Sequence, residues 1–88
     1  MKRKSFAKRR DANEAEIVEA LLEAGATFER LDWCDLLVGY LGMNYLLEVK
    51  TSKGKLTKKQ SKDFPLWNGR ITVVRTTKQA LEAIGVKP

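Results

Sequence analysis

The chain has 88 residues, of which 43% are hydrophobic, and a formal net charge of +6. This composition indicates one folded domain with a modest core, and a domain of this size gains stability from dimerisation. The chain has no histidine and a single cysteine, which excludes Ser-His-Asp and Cys-His catalysis, His-ligated zinc and an intramolecular disulfide. Catalysis is left to carboxylates, lysine or the thiol, and carboxylate oxygens are ligands that Mg²⁺ and Mn²⁺ prefer.

Positive charge is concentrated at the start of the chain, where six of the first ten residues are basic: Lys2, Arg3, Lys4, Lys8, Arg9 and Arg10. Residues 11–88 carry 11 basic and 11 acidic side chains, so their charges balance. We therefore divide the chain into a basic arm, 1–10, and a single domain, 11–88. A second basic cluster within 50–62 supplies further candidates for nucleic-acid binding: Lys53, Lys55, Lys58 and Lys59. Such clusters attract phosphate backbones, although a solubilising tail and a solvated helix face remain alternatives.

The sequence also favours a cytoplasmic protein that does not enter a membrane. No apolar stretch follows the basic arm, so no signal peptide is expected. The longest apolar stretch, 36–47, contains two glycines and is too short to span a bilayer. The single cysteine fits a reducing compartment.

The predicted elements begin with a helix over about 12–24, in which Asp11 and Glu14 form a capping box and Gly25 ends the helix. Residues 26–32 alternate weakly between apolar and polar side chains, which predicts a strand.

A hairpin follows a short connection. Residues 36–41 predict a strand that is buried on both faces, and residues 44–50 predict the returning strand. Gly42 and Met43 form the turn between them, with type II′ geometry because that turn needs glycine first.

The next predicted element is a helix over about 58–67, which Thr57 caps and Asn68-Gly69 ends. Pro65 lies inside this helix, so we expect the helix to fray or bend there.

The chain closes with a strand and a helix. The β-branched run 71–75 predicts the strand, Thr77 caps the last helix, and Gly85 ends it. The order α-β-β-β-α-β-α predicts an α/β fold in which helices cover a buried sheet.

The hairpin brings charged residues together. With the predicted turn, Asp35 lies opposite Lys50, and Glu48 lies two residues from Lys50 on the same strand. Opposed residues and residues two apart point to one face. The three side chains therefore share a face, about 5–8 Å apart at Cβ. A one-residue slip or a bulge would move Asp35 to the other face.

Two carboxylates on an apolar hairpin are costly unless they are paired or bound to a cation. Lys50 can neutralise one of them. A divalent ion between Asp35 and Glu48 would satisfy both, with the carbonyl of Val49 as a neutral ligand. Such an ion would polarise a phosphoryl oxygen and activate water, while Lys50 would orient that water or stabilise charge on the phosphate.

The pattern of Asp35 followed by Glu48-Val49-Lys50 resembles that of the PD-(D/E)XK nucleases. The run C-D-L-L-V-G-Y…N-Y-L-L-E-V-K…L-T-K-K-Q is similar to the small stand-alone VRR-NUC domains of phages, which are related to Holliday-junction resolvases. Asn13-Glu14 and the element order also match, so the resemblance covers about residues 11–84.

This resemblance implies a restriction-endonuclease-like core, with a mixed sheet flanked by helices. It also implies a homodimeric, Mg²⁺- or Mn²⁺-dependent endodeoxyribonuclease that acts on branched or structured DNA. By resemblance, Asp35, Glu48 and the Val49 carbonyl bind the metal, and Lys50 is catalytic.

Two further site residues are implied by the resemblance. Glu14 reaches the metal from the first helix, directly or through water, although it could only cap the helix, and Glu16 could be the inner acid instead. Gln60 lies beside the site and approaches DNA or metal-bound water, although it could be an ordinary exposed helix residue.

The chain departs from the family where Cys34 replaces the usual proline before the first aspartate, after a shortened loop. This change leaves the metal ligands in place but affects how the chain approaches Asp35. Cys34 is expected to be a small buried residue rather than a nucleophile. Trp33 could stack on a base, or pack at the edge of the core or at an interface.

Two other functions compete with the nuclease. One is a non-catalytic DNA-binding phage accessory protein that retains the nuclease fold. The other is an interaction module whose basic arm binds an acidic partner.

Overall fold

The computed structural model describes residues 11–87. The predicted basic arm, 1–10, lies outside the described residues. The elements run in the predicted order: α1 (Glu14–Glu23), β1 (Thr27–Arg30), β2 (Leu36–Tyr40), β3 (Met43–Val49), α2 (Lys58–Asp63), a 3₁₀ turn (Phe64–Leu66), β4 (Ile71–Val74) and α3 (Thr77–Ala83). The α/β prediction is therefore confirmed.

The four strands form one mixed sheet in the order β1-β2-β3-β4. β1, β2 and β3 pair antiparallel through short connections, whereas β4 pairs parallel with β3. A parallel pair requires a crossover between its strands, and the segment that contains α2 supplies it.

The hydrophobic core lies on one face of the sheet, beneath α1 and α3. Alternate strand residues point to this face, and they form one cluster with Ile17 and Leu21 of α1 and Ala80 and Ile84 at α3: Leu36, Val38, Leu47, Val49 and Val74. The opposite face, which we call the outer face, carries side chains of intermediate burial such as Leu37 and Leu46. The prediction that β2 is buried on both faces is therefore wrong.

The hairpin turn lies one residue earlier than predicted. Tyr40 pairs with Met43, so the turn residues are Leu41 and Gly42. Both have positive φ, +49° and +82°, which is the type I′ pattern rather than type II′. Gly42 therefore occupies the second turn position, where it adopts positive φ without steric cost.

The earlier turn shifts the strand register by two residues. Leu36 pairs with Leu47, so Asp35 faces Glu48 rather than Lys50, and Leu37 faces Leu46 rather than Glu48. Side chains repeat with a period of two, so a shift of two leaves each of them on its predicted face. The predicted cluster survives for this reason.

Two predicted caps are also wrong. α1 begins at Glu14 with Asn13 as its N-cap, so Asp11 and Glu14 do not form a capping box. Thr76, not Thr77, caps α3, because its side chain accepts a hydrogen bond from the amide of Gln79 at 3.1 Å.

The predicted cap of the second helix is confirmed, but the α-helix is shorter than the predicted range 58–67. The Thr57 side chain caps α2. The helix ends at Asp63, and Pro65 lies in the 3₁₀ turn that follows. The α-helix therefore stops before the proline, which cannot continue its hydrogen-bond ladder.

Within residues 11–87, every helix is too short and too polar to cross a bilayer.

Candidate active site

Asp35 and Glu48 are tied to each other through the backbone at one end of the β2–β3 pair. Glu48 Oε1 accepts a hydrogen bond from the amide of Asp35 at 3.2 Å. Asp35 Oδ2 accepts one from the amide of Val49 at 2.7 Å. Both residues are buried, with exposed fractions of 3% for Asp35 and 1% for Glu48. Each carboxylate thus accepts a hydrogen bond from a backbone amide of the neighbouring chain segment, which fixes both in orientation, as a preorganised site requires.

Lys50 belongs to the same cluster. Its Nζ lies 3.4 Å from Glu48 Oε2, and only 13% of its side chain is exposed. Because Glu48 and Lys50 are two residues apart near the end of β3, their side chains project from the same face. The structure thus brings Asp35, Glu48 and Lys50 together, as the sequence predicted.

Gln60 also contacts Glu48. Its Nε2 donates to Glu48 Oε2 at 2.8 Å. Its Oε1 accepts from the Thr57 amide, and its own amide donates to Thr57 Oγ1, both at 3.0 Å. These two bonds form a capping box that starts α2. Since the box occupies Gln60 Oε1, the side-chain NH₂ is the end that faces Glu48.

Arg75 bonds to the loop before α2. This residue was not predicted from the sequence. Its Nη1 donates to the carbonyls of Thr51 and Gly54, each at 2.6 Å. The arginine follows β4, which pairs parallel with β3, so the loop is fastened to the strand beside Glu48. No local pattern in the sequence marks this contact, because the partners are more than twenty residues apart.

Glu14 is the buried acid of α1, with 2% exposed, whereas Glu16 is exposed. The alternative that Glu16 is the inner acid is therefore wrong. Glu14 Oε2 accepts a hydrogen bond from Arg30 Nε at 2.8 Å. The preceding Asn13 donates to the carbonyls of Lys50 and Arg75, at 3.1 and 2.8 Å. The start of α1 is thus fastened to the end of β3, beside the carboxylate pair.

The donor atoms suit a small divalent cation such as Mg²⁺ or Mn²⁺. Asp35 and Glu48 provide two adjacent carboxylates. The carbonyl of Val49 projects on the same side of β3 as its amide, which bonds to Asp35. Over residues 11–87, no three side chains of His, Cys, Asp or Glu form a group that could hold a metal. Two carboxylates suffice for Mg²⁺, which commonly retains several waters and takes substrate phosphates as further ligands.

Cys34 and Trp33 lie immediately before the site. Cys34 is fully buried, and its Sγ donates to the carbonyl of Leu47 at 3.4 Å, so the predicted small buried residue is confirmed. Trp33 is 45% exposed. Its ring forms a T-shaped pair with Phe64 and a tilted pair with Trp67, with centroid distances of 6.4 and 5.1 Å. Neither Trp67 nor Phe64 was among the site residues predicted from the sequence.

The lysines of the second basic cluster that are predicted to bind nucleic acid lie in the loop before α2 and in the first turn of α2. Lys53, Lys55, Lys58 and Lys59 are all exposed, and Lys59 pairs with Asp63 at 2.6 Å. The exposed charged residues of α1 are all acidic by contrast: Glu16, Glu19 and Glu23. Charge is therefore separated between the two helices, with the positive side next to Gln60 and Glu48.

Comparison of the chain with protein-family models, curated proteins and solved structures found no match in any of the three.

Proposed function

We propose that this chain is a metal-dependent DNA endonuclease of the PD-(D/E)XK type, with a restriction-endonuclease-like core similar to that of small VRR-NUC domains. The observation that carries the proposal is a pair of buried carboxylates, Asp35 and Glu48, each held by a backbone amide of the neighbouring chain segment: Glu48 by the amide of Asp35, and Asp35 by the amide of Val49. Lys50 and Gln60 both contact Oε2 of Glu48, and Oε1 is the carboxylate oxygen that bonds to Asp35. A purely structural ion pair needs one carboxylate and one cation, whereas this cluster concentrates oxygen donors in the manner of a hard-cation site.

The proposed metal ligands are Asp35, Glu48 and the carbonyl of Val49, with Glu14 at the start of α1 acting through water, because these three carboxylates do not form one group of direct ligands. A bound Mg²⁺ or Mn²⁺ would polarise the phosphoryl oxygen and generate the attacking hydroxide.

Residues of the chain itself bind the DNA phosphates and stabilise the negative charge that develops during cleavage. Lys50, anchored beside Glu48, presents an ammonium that stabilises negative charge developing on the scissile phosphate. Gln60 holds the Glu48 carboxylate in one orientation through its side-chain amide. The exposed lysines before and on α2 bind neighbouring phosphates of the backbone: Lys53, Lys55, Lys58 and Lys59.

The proposed substrate is branched or structured DNA, and the proposed active form is a homodimer with two symmetric sites. The choice of branched DNA rests on the resemblance of this chain to the VRR-NUC domains that are related to Holliday-junction resolvases. Two sites related by a twofold axis would suit a four-stranded junction that is cut at two points.

The decisive experiment is cleavage of a labelled four-way junction and a matched linear duplex in Mn²⁺, Mg²⁺ or EDTA. Glu48→Gln removes a charge without removing the acceptor oxygen, and Glu29→Gln makes the same change at an exposed position of β1. We expect metal-dependent cutting that Glu48→Gln abolishes and Glu29→Gln preserves.

Each other outcome has a definite meaning. Equal cutting of both DNAs would retain the nuclease and remove the junction preference. Tight binding without cutting in any metal would contradict the nuclease and support a DNA-binding protein that keeps the fold. If the protein does not bind DNA at moderate salt, the result would contradict both DNA-related functions and support an interaction module that binds an acidic partner.

A further inference from the structure

An apolar groove of about 650 Å³ opens on the outer face of the sheet, next to the carboxylate pair. Trp33 and Trp67 line one part of it, and Leu37 and Leu46 form its floor. Asp35 and Glu48 lie two residues before Leu37 and two after Leu46, on the same face of the same strands. The groove therefore begins roughly 7 Å from the carboxylates along the strands.

We propose that this groove binds an unpaired nucleobase of the DNA strand whose phosphate lies at Asp35 and Glu48. The inference rests on the proposed nuclease function, because it assigns the groove to the same substrate. It adds a preference for substrates in which a base next to the cut is free to leave the duplex stack.

The two tryptophans provide surfaces on which a base can stack. Trp33 is 45% exposed and Trp67 is 48% exposed, so about half of each residue is open. Their ring centroids lie 5.1 Å apart with a tilt of 49°, and Phe64 supports Trp33 edge-on. Aromatic side chains stack on any base, because every base has a π-face.

Gly69 contributes to the shape of the groove. A Cβ at this position would lie 2.6 Å from Nε1 of Trp67, so the bare backbone leaves room for the indole. The observed position of the Trp67 ring therefore depends on glycine at position 69.

The charge of the groove favours DNA over a second copy of this chain. Among the described residues that line it, Arg70 alone is charged. Helix α2, which carries the exposed Lys58 and Lys59, contacts the same face of the sheet through the bond from Gln60 to Glu48. A symmetric dimer through this groove would bury two copies of Arg70, and the described residues that line the groove include no acidic side chain to pair with them. A phosphate backbone instead supplies the opposite charge, and arginine can bind phosphate or stack on a base.

The tryptophan content makes the inference directly testable. Trp33 and Trp67 are the two tryptophans of the chain, so tryptophan fluorescence reports on this groove alone. The full chain is titrated in EDTA, which prevents cleavage, with a short oligothymidylate and with an abasic strand of equal length. The two strands carry the same phosphates, so a difference between them measures the bases.

We expect the oligothymidylate to quench the fluorescence and to bind about 5- to 100-fold more tightly than the abasic strand, as one stacked base provides. Trp67→Leu should remove this difference, and Trp67→Phe should retain most of it. Leu66→Ala alters an exposed apolar residue outside the groove and should change nothing. Equal quenching and equal affinity for the two strands would overturn the proposal, and this comparison needs only the unaltered chain.

The remaining outcomes separate the groove from the nuclease. If the base-dependent quenching is seen but no DNA is cut in any metal, the nuclease fails and the base site stands. If DNA is cut but the two strands bind alike, the base site fails alone. If the oligothymidylate has no effect and sedimentation shows a dimer that Trp67→Leu dissociates, a second copy occupies the groove, which overturns the proposal.

Discussion

The side-chain amide of Gln60 joins the start of α2 to Glu48, with Gln60 Nε2 lying 2.8 Å from Glu48 Oε2. The capping box with Thr57 fixes the opposite end of the same side chain. The spacing T-x-x-Q therefore starts a helix and also orients a carboxylate of the candidate active site.

Gln60→Glu tests this double role, because glutamate preserves the capping box but lacks the amide donor. We expect α2 to remain folded, while a negative charge next to Glu48 lowers kcat for DNA cleavage by about 10- to 100-fold, as expected for a lost charge-assisted hydrogen bond. Cleavage kinetics and thermal unfolding measure the two effects separately. An unchanged kcat would contradict the role of Gln60.

Thr57→Ala should act on the site through the same capping box. It removes the acceptor of the Gln60 amide, so we expect a loss of about 1 kcal/mol in the free energy of unfolding, together with a lower kcat. Thr76→Ala is the matched control, because Thr76 makes the same cap at α3. It should cost similar stability and leave kcat unchanged, so equal effects of the two variants on kcat would show that the loss is only one of stability.

Arg75→Lys should loosen the loop before α2. Lysine cannot reproduce the two short bonds from one guanidinium nitrogen to the carbonyls of Thr51 and Gly54. We expect tryptic cleavage after Lys53 and Lys55 under native conditions to accelerate about tenfold, because local opening becomes easier. Arg70→Lys makes the same chemical change at a position that does not bond to this loop, and it should leave the cleavage rate as it is.

DNA binding should depend steeply on salt, and the exposed lysines of the loop should contribute to that dependence. Replacing Lys53 and Lys55 by alanine should reduce the slope of log K against log salt by about 2, one for each phosphate that these lysines no longer neutralise. Binding is measured in EDTA so that no DNA is cut. Lys78 and Lys87 are exposed at the other end of the described chain, and their replacement should not change the slope. Identical slopes for both pairs of variants would contradict a binding face at α2.

Leu41→Asn should stabilise the protein. Leu41 has φ +49° and is 83% exposed, so it bears the steric cost of a left-handed residue without burying its side chain. Asparagine suits this position in a type I′ turn before glycine, and we expect a gain of about 1 kcal/mol in the free energy of unfolding. Leu66→Asn, at an exposed leucine with ordinary φ, should give no gain. A lower melting temperature for Leu41→Asn would contradict the assignment of the turn.

Local patterns in the sequence were enough to predict the order of the elements and the face on which Asp35, Glu48 and Lys50 lie. Both follow from periodicity, which repeats every two residues in a strand. The face was predicted correctly even though the turn was placed one residue late, because the resulting shift was an even number of residues. The capping residue Thr57 and the break at Pro65 were also local properties of the chain.

Which atoms meet depends on the tertiary structure. Asp35 faces Glu48 rather than Lys50 because two residues of the turn, Leu41 and Gly42, both adopt positive φ. Asn13 was matched as a helix residue, yet its side chain bonds to the ends of β3 and β4. Arg75 fastens a loop more than twenty residues away along the chain. Such pairings arise from the way α1, β3 and β4 come together in space, and periodicity along the sequence carries no information on that arrangement.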